Sequence, residues 1–359
     1  IEEARTNLVP YSEAFDDAGW GKVRASVVAD VVVAPDGSLS ADKLVEDTTA
    51  SNSHYLLEYI TKDSSVRNYT TSVYLKAAER TKAAVYFRDT SFVGARSGVI
   101  DLSAGTIGDA AVSTGGTVLG NTIEDVGNGW YRVSLSMTST TDTSQRIEIY
   151  AADDSGNIQH TGDGYSGIYI WGAQFEQGSF PASYIPTSGS TVTRASDSAE
   201  MQNNVANLLP LTGFTLFAEA EVNREVDAAG TGVVSITDTA NLGNDTVNAL
   251  GIYLRASSAL GITSKIIGSN TQYDFSAAQP TIAQPFKVAN AVSTNDAAAV
   301  SSTNNTLLTD SSVQMPSTAL DTIEIGHYNG QEYLGGHIRK IAIYPKRLSN
   351  ATLQAMTEE

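Results

Sequence analysis

The sequence predicts an all-β protein: two antiparallel β-sandwich (jelly-roll) domains in tandem. Three observations predict it. Of its 359 residues 41% are hydrophobic and only 17% charged, and Gly, Ser, Thr, Ala and Asn supply much of the remainder. That is the composition of turn-rich sheet rather than of helix. Apolar and polar residues alternate with period 2 in short segments separated by turn residues, at the spacing of a sandwich. Helical period is clear in one place, Asn350 to Glu359, where Ser349 stands as an N-cap.

The chain opens on Ile1 rather than Met, which reads as a piece of a longer polypeptide, with residues 1–6 as an extension. The first sandwich is expected over 7–187. It starts with a short strand, a turn and an anchoring Trp20. A strand then runs to Val33, and Pro35-Asp36-Gly37 forms a turn, proline presetting φ and glycine accepting positive φ. ADKLVED and SHYLLEYI follow as strands. In NYTTSVYLKAAE, Thr71, Val73 and Leu75 share one face, and Ser72, Tyr74 and Lys76 the other. After a turn at Arg80-Thr81, Val85 and Phe87 oppose Tyr86 and Arg88.

The central stretch runs from Gly127 to Thr187 and reads as three neighbouring strands of one sheet. Gly127-Asn128-Gly129 supplies a turn. Tyr131, Val133, Leu135 and Met137 then face one way, and Trp130, Arg132, Ser134 and Ser136 the other. Ile147 and Ile149 oppose Glu148 and Tyr150. Residues 188–206 are polar and read as a linker. Over 207–359 a second sandwich opens with Phe214, Leu216 and Ala218 on one face and Thr215, Phe217 and Glu219 on the other. Asn304-Asn305 marks a hairpin-like turn, and the closing helix is expected to cap one end.

Charge and motif content exclude several function classes. Twenty-two basic residues stand against 40 acidic, a net of −18. Phosphate binding needs Lys and Arg to release counterions, so nucleic acid is not the expected partner, nor is an anionic membrane surface. No apolar run reaches the length of a transmembrane helix, so no membrane insertion is expected. The absence of cysteine removes disulfides, thiolate nucleophiles and cysteine-ligated zinc. His54, His160, His327 and His337 are scattered, with no HExxH spacing, and no GxSxG occurs. A glycosidase carboxylate pair is defined by distance in space, which spacing in sequence does not give.

NLVPYSEAF with Trp20, PDGSLSADKL, YTTSVYLKA, GNGWYRVS, GIYIWGAQFEQGSFPASYIPT and VTRASD occur in this order between Asn7 and Asp197. Together they resemble a module of bacteriophage tail and fibre proteins and of related gene-transfer-agent spikes. The resemblance implies a carbohydrate-binding-module-like jelly roll on the virion surface that contacts bacterial surface polysaccharide. It implies other virion proteins as partners and a homo-oligomer, expected as a trimer. GGHIRKIAIYPKRLSNATLQAMT closes the chain, and its half is similar to laminin-G or concanavalin-A-like sandwiches. On this reading the protein is a binder rather than an enzyme. A polysaccharide depolymerase and a purely structural spacer are the alternatives.

Sugar sites on β-sandwiches combine aromatic rings with charged or amide side chains. The candidates are Tyr74, Tyr86, Arg88, Arg132, Glu148 and Tyr150, with Lys76 beside them. If their strands share one sheet they floor a groove; otherwise they are cross-strand pairs on a solvated or subunit-facing surface. Trp130 is expected in the core. Tyr169 and Trp171, on a strand apolar on both faces, are read as doubly covered. Phe180, Tyr184 and Pro186 are expected to pin the returning chain. Jelly rolls of this resemblance also imply a structural calcium, for which Glu13, Asp16, Asp17 and Glu176 are candidate ligands. Asp238, Asn241, Asn244 and Asp245 form a second acidic loop of the same kind.

Overall fold

The structure, a computed structural model, describes residues 2–114, 117–202, 205–222, 231–237, 249–254, 259–264, 273–278, 280–281, 284–315, 320–327 and 334–358. It is all-β, built of antiparallel sheets in sandwiches. The chain divides into two compact units, Arg5–Arg194 and Ala195–Glu359, the latter joined by Ile1–Ala4. Among the described residues no helix is long and apolar enough to cross a membrane.

The first unit contains, in chain order, β1 (Arg5–Asn7), β2 (Gly21–Val23), β3 (Ala25–Val33), β4 (Leu39–Glu46), β5 (Asn52–Thr61) and β6 (Asn68–Ala77). Next come β7 (Lys82–Asp89), β8 (Gly94–Arg96), β9 (Ile100–Asp101), β10 (Thr106–Ile107), β11 (Ala111–Thr114) and β12 (Thr117–Gly127). It closes with β13 (Trp130–Thr138), β14 (Ser144–Ala152), β15 (Gln159–His160), β16 (Gly167–Gln177) and β17 (Val192–Arg194). One sheet, here sheet A, has the order β10-β9-β7-β14-β5-β15, with β2, β8 and β11 attached at its flanks. Sheet B has the order β12-β13-β6-β16-β4-β3, and β1 pairs with β17 apart from both.

The alternation read from sequence decides which side chains enter the core. Val73 and Leu75 of β6, Val85 and Phe87 of β7, and Val133, Leu135 and Met137 of β13 interlock between the sheets. Ile147 and Ile149 of β14 and Ile168, Ile170 and Phe175 of β16 join them. Burying each such side chain is worth about 1.5–3 kcal/mol. A one-residue slip of β13 would exchange Val133 and Leu135 for Arg132 and Ser134, so the register is firmly set. The β12–β13 hairpin closes on Asn128 (φ 55°) and Gly129 (φ 77°), with Gly127 opposite Trp130. Positive φ at both central residues is the type I′ turn, whose twist suits paired strands. At the β3–β4 turn Ala34 N donates to Ser38 O at 2.8 Å.

The expectation of three neighbouring strands over 127–187 is corrected. β13 and β16 flank β6 in sheet B, whereas β14 lies between β5 and β7 in sheet A. The connections β4–β5, β6–β7 and β13–β14 arch over the core instead of forming hairpins. An arch and a hairpin impose the same period on the strands they join, so alternation alone does not separate them. The expected linker also carries structure: β17 pairs with β1, and Glu200–Gln202 is a strand of the second unit.

The second unit contains β18 (Glu200–Gln202), α1 (Val205–Leu208), β19 (Phe214–Val222), β20 (Thr231–Thr237), β21 (Ala249–Leu254), β22 (Ala259–Ser264) and β23 (Tyr273–Ala278). β24 (Pro285–Ser293), β25 (Asp296–Ser301), β26 (Leu308–Asp310), β27 (Thr322–Ile325), β28 (Gly336–Tyr344) and α2 (Asn350–Thr357) complete it. Its sheets run β18-β27-β20-β21-β22-β23 and β26-β25-β24-β19-β28. Phe214, Leu216 and Ala218 fill the core between them. Ser349 caps α2 by accepting from Thr352 N at 3.2 Å. α2 does not cap the sandwich end. Leu353 packs on Phe217, Ala289, Ala291, Ala298 and Val300, on the outer face of the β19-containing sheet. The tight β24–β25 hairpin turns at Thr294-Asn295, between paired Ser293 and Asp296. Asn304-Asn305 instead turns a longer connection, Asn305 N donating to Ser301 O at 2.8 Å.

Candidate functional site

The six residues expected on one groove floor fall on two faces. Tyr86 and Arg88 on β7 and Glu148 and Tyr150 on β14 share the outer face of sheet A; Tyr74 and Arg132 share the outer face of sheet B. The split follows from the β6–β7 and β13–β14 arches, which send consecutive strands to opposite sheets.

On sheet A the register sets three ranks. Arg146 stands opposite Arg88 and Tyr59, Glu148 opposite Tyr86 and Leu57, and Tyr150 opposite Ala84 and Tyr55. Glu148 is fully buried at the centre of this network. Arg88 Nε and Nη2 donate to its two oxygens at 3.0 and 2.5 Å, and Tyr150 OH donates at 2.5 Å. Arg146 Nε lies 2.7 Å from Oε1, outside hydrogen-bond geometry. Burial disfavours the Arg88 cation, but the Glu148 hydrogen bonds and charge outweigh it, so its pKa stands above the ordinary arginine value. Burial, and then the Glu148 charge, pushes the Tyr150 phenol well up. Tyr150 stacks on Tyr55 at 4.5 Å and leans on Tyr86 at 4.8 Å. Its faces are therefore filled, and it braces the network.

A short turn overhangs these guanidiniums. Asp89 Oδ1 accepts from Ser91 N and Val93 N, each at 2.9 Å, and Thr90 Oγ1 donates to Asp142 Oδ2 at 2.5 Å. The turn holds Phe92 at φ 64°, in the left-handed region that a bulky residue rarely adopts. The residue is 53% exposed, and its ring lies 4.3 Å from the Arg146 guanidinium and 4.9 Å from that of Arg88. Tyr59, also 53% exposed, flanks Arg146, and exposed Arg96 stands opposite Tyr86. The exposed pieces are thus two rings and a guanidinium, over a locked Arg–Glu–Tyr base.

The outer face of sheet B is more closed. Trp130, Trp171 and Tyr74 are buried with Ala34 and Ala41, and Tyr169 and Tyr184 pack against them. Trp130 is thus buried outside the inter-sheet core, under the β3–β4 hairpin, its Nε1 donating to Val33 O at 3.0 Å. Lys76 Nζ donates to Asn128 O at 2.8 Å. Arg132 lies 5.5 Å over the Tyr74 ring and donates to Ser72 Oγ at 3.1 Å. Tyr184 pins the returning chain, its hydroxyl lying 2.7 Å from Ser12 Oγ and donating its one proton to Glu13 Oε1 at 2.9 Å. A β-bulge at Gly172 shifts the phase of β16, so that Gln174 and Glu176 join this face.

The four proposed calcium ligands do not converge. Glu13 accepts from Tyr184. Glu176 is enclosed and accepts from Gln174 Nε2 at 2.7 Å and Ala182 N at 2.8 Å, with Arg5 beside it. The carbonyls of Asp16 and Asp17 accept from Lys22 Nζ at 2.9 and 2.5 Å, placing an ammonium where a cation would sit. Among the described residues no group of three or more His, Asp or Glu is arranged to hold a metal. These residues do not fit a calcium ion. Asp238, Asn241, Asn244 and Asp245 lie outside the described residues. His54 and His160 meet, with ring centroids 4.9 Å apart, and His160 bonds Glu46 at 2.8 Å, inside the fold and away from both faces.

Sequence reasoning missed Arg146, Tyr59, Phe92 and Arg96. Arg146 was legible, since it stands two residues before Glu148 and shares its face. Phe92 carried a weaker signal, an aromatic in the polar run between two strands.

No protein-family model matches the chain, and no curated protein matches it. Among solved structures it is similar to the CBM40 of Ruminococcus gnavus IT-sialidase bound to alpha2,3 sialyllactose, at 14% identity and a TM-score of 0.35, covering 45% of this chain and 91% of that one. Mouse laminin alpha1 domains LG4-5 match at 10% identity and a TM-score of 0.30, covering 84% and 90%. Trypanosoma rangeli sialidase in complex with the inhibitor DANA matches at 10% and 0.34, covering 92% and 70%. Likenesses this low carry no argument about function.

Proposed function

We propose that the first unit binds polysaccharide on the outer face of sheet A, as a binder rather than an enzyme. One observation carries the reading. Two exposed rings, Phe92 and Tyr59, border guanidiniums whose geometry is locked from beneath by buried Glu148 and Tyr150. Rings stack on the apolar faces of a pyranose, and preorganised donors bind its hydroxyls. Phe92, Tyr59 and Arg96 are the residues assigned to contact sugar; Arg88 supports them, and Tyr86, Glu148 and Tyr150 form the base. Glu148 is enclosed and engaged by three side chains, which keeps it from a glycosidic bond in a bound chain. Following the sequence resemblance, the binding serves attachment of a phage particle to bacterial surface polysaccharide. Shallow single sites are weak, and several copies on one particle would raise avidity by ~10²–10⁴.

The test is binding of the full chain to immobilised surface polysaccharide from candidate bacterial hosts, sampled over time for chain length. Retention on at least one polysaccharide of unchanged length is expected, with about tenfold weaker binding for Phe92→Ala. Shortened chains would move the protein to the depolymerases. Undiminished binding by Phe92→Ala would move the site off this face.

A further inference from the structure

We propose that this face selects sugars that carry a carboxylate, and that Arg146 reads the charge. The proposal rests on the polysaccharide-binding reading above and names its substrate class. Two guanidiniums meet one carboxylate here: Arg88 and Arg146 both contact Glu148, and the side chains of all three are at most 14% exposed. Among the described residues Glu148 is the carboxylate in ion-pair contact with either arginine. The neighbouring acids are directed elsewhere. Asp89 holds the Phe92 turn and accepts from Thr140 Oγ1, and Asp142 accepts from Thr90 and from Ser144 N. Among groups in direct contact, two guanidiniums therefore share one carboxylate where water is scarce, and exposed Arg96 stands at the rim.

A partly desolvated cation without full compensation favours an incoming anion, and a carboxylate matches the planar guanidinium fork. The Arg146 Nε–H has no hydrogen-bond acceptor. Phe92 lies 4.3 Å over its guanidinium and exposed Tyr59 stands opposite it in the register, and the Arg146 side chain keeps 8% of its surface exposed. The whole chain carries −18, so its long-range field repels polyanions, and any preference for an acidic sugar has to arise from a local site.

The experiment measures binding of the full chain to oligogalacturonate and to its methyl ester at matched length, with sodium acetate as competitor. Binding to the acid is expected to be at least about tenfold tighter than to the ester. Arg146→Gln should bring the acid-to-ester binding ratio to within about twofold of one, the ratio being the readout because Arg146 also supports the Phe92 ring. Because Arg146 is buried, Arg96→Gln serves as the exposed second variant and is expected to lower binding to the acid about threefold. Equal binding of acid and ester, or an acid preference untouched by both variants, would overturn the charge reading and leave the sugar reading standing. Displacement by about 10 mM acetate would also overturn it, since the cation would then take any carboxylate. Binding to a host polysaccharide with none to either oligomer sinks this proposal alone; binding to nothing sinks both.

Discussion

A left-handed backbone at an L-residue costs about 1–2 kcal/mol, and Phe92 adopts one while about half exposed. What holds it is the pair of guanidiniums beneath, each cation–π contact contributing about 0.5–1 kcal/mol, together with the Asp89 bonds that shape the turn. Phe92→Gly relieves the first and removes the second. Its unfolding free energy should therefore stay within about 1 kcal/mol of the parent, while polysaccharide binding falls about tenfold or more; urea unfolding beside a binding assay separates the two. Glu58 makes a second case. It faces the sandwich interior with Oε2 unpartnered, and burial, then Asp17, raises its carboxyl from 4.5 to about 7. The native state thus holds this proton more tightly than the unfolded chain. The stability it contributes is present below about pH 4.5 and is lost as pH rises to about 7. Glu58→Gln should stabilise the first unit by about 1–2 kcal/mol at pH 8, once screening by nearby solvent is allowed for, and flatten the slope between about pH 5 and 7. Thermal melts across that range test it, and a parallel shift at all pH values would refute the assignment.

Among the elements, the β7–β8 pair positions the candidate site. Gly94 lies so near β7 that a Cβ there would stand 2.2 Å from Phe87 O. Gly94→Ala should pry β8 from β7, cost about 2 kcal/mol and weaken sugar binding through the displaced turn. Denaturant midpoints and binding, measured together, check both effects. Strands of this kind are plain in sequence. The faces of β6, β7, β13, β14 and β19 follow from period 2, and the Asn128-Gly129 turn and the Ser349 cap follow from backbone chemistry. The sheet each strand joins does not follow, because an arch across the core leaves the same alternation as a hairpin. For that reason Arg132, expected on one groove floor with Glu148, lies on the other face. The short strands β8 to β11 are too brief to show a period, and the turn over Arg146 depends on Asp89 and Asp142, more than 50 residues apart in sequence.

At the level of the whole molecule, the chain has no cysteine, so its sandwiches close without disulfides. Their stability comes from burial over long-range pairings, so folding waits on contacts distant in sequence and is expected to be slow for the chain's size. The pairing of β1 with β17 has a further consequence. Arg5 stands opposite Arg194 at the edge of the first unit. In the second unit Glu2 N donates to Asp197 Oδ2, and Asp197 N to Glu2 O, each at 2.8 Å. The polypeptide therefore enters and leaves the first unit at one point, and the flanking segments are already side by side. Residues 5–194 thus form a cassette whose two ends are neighbours. Such a cassette tolerates transplantation: grafted between adjacent strands of an unrelated sandwich, it asks the recipient for no new chain path. Its two ends can equally be joined and the chain reopened at the exposed turn around Asp154–Gly156, giving a circular permutant with the same sheets and the same Phe92 face.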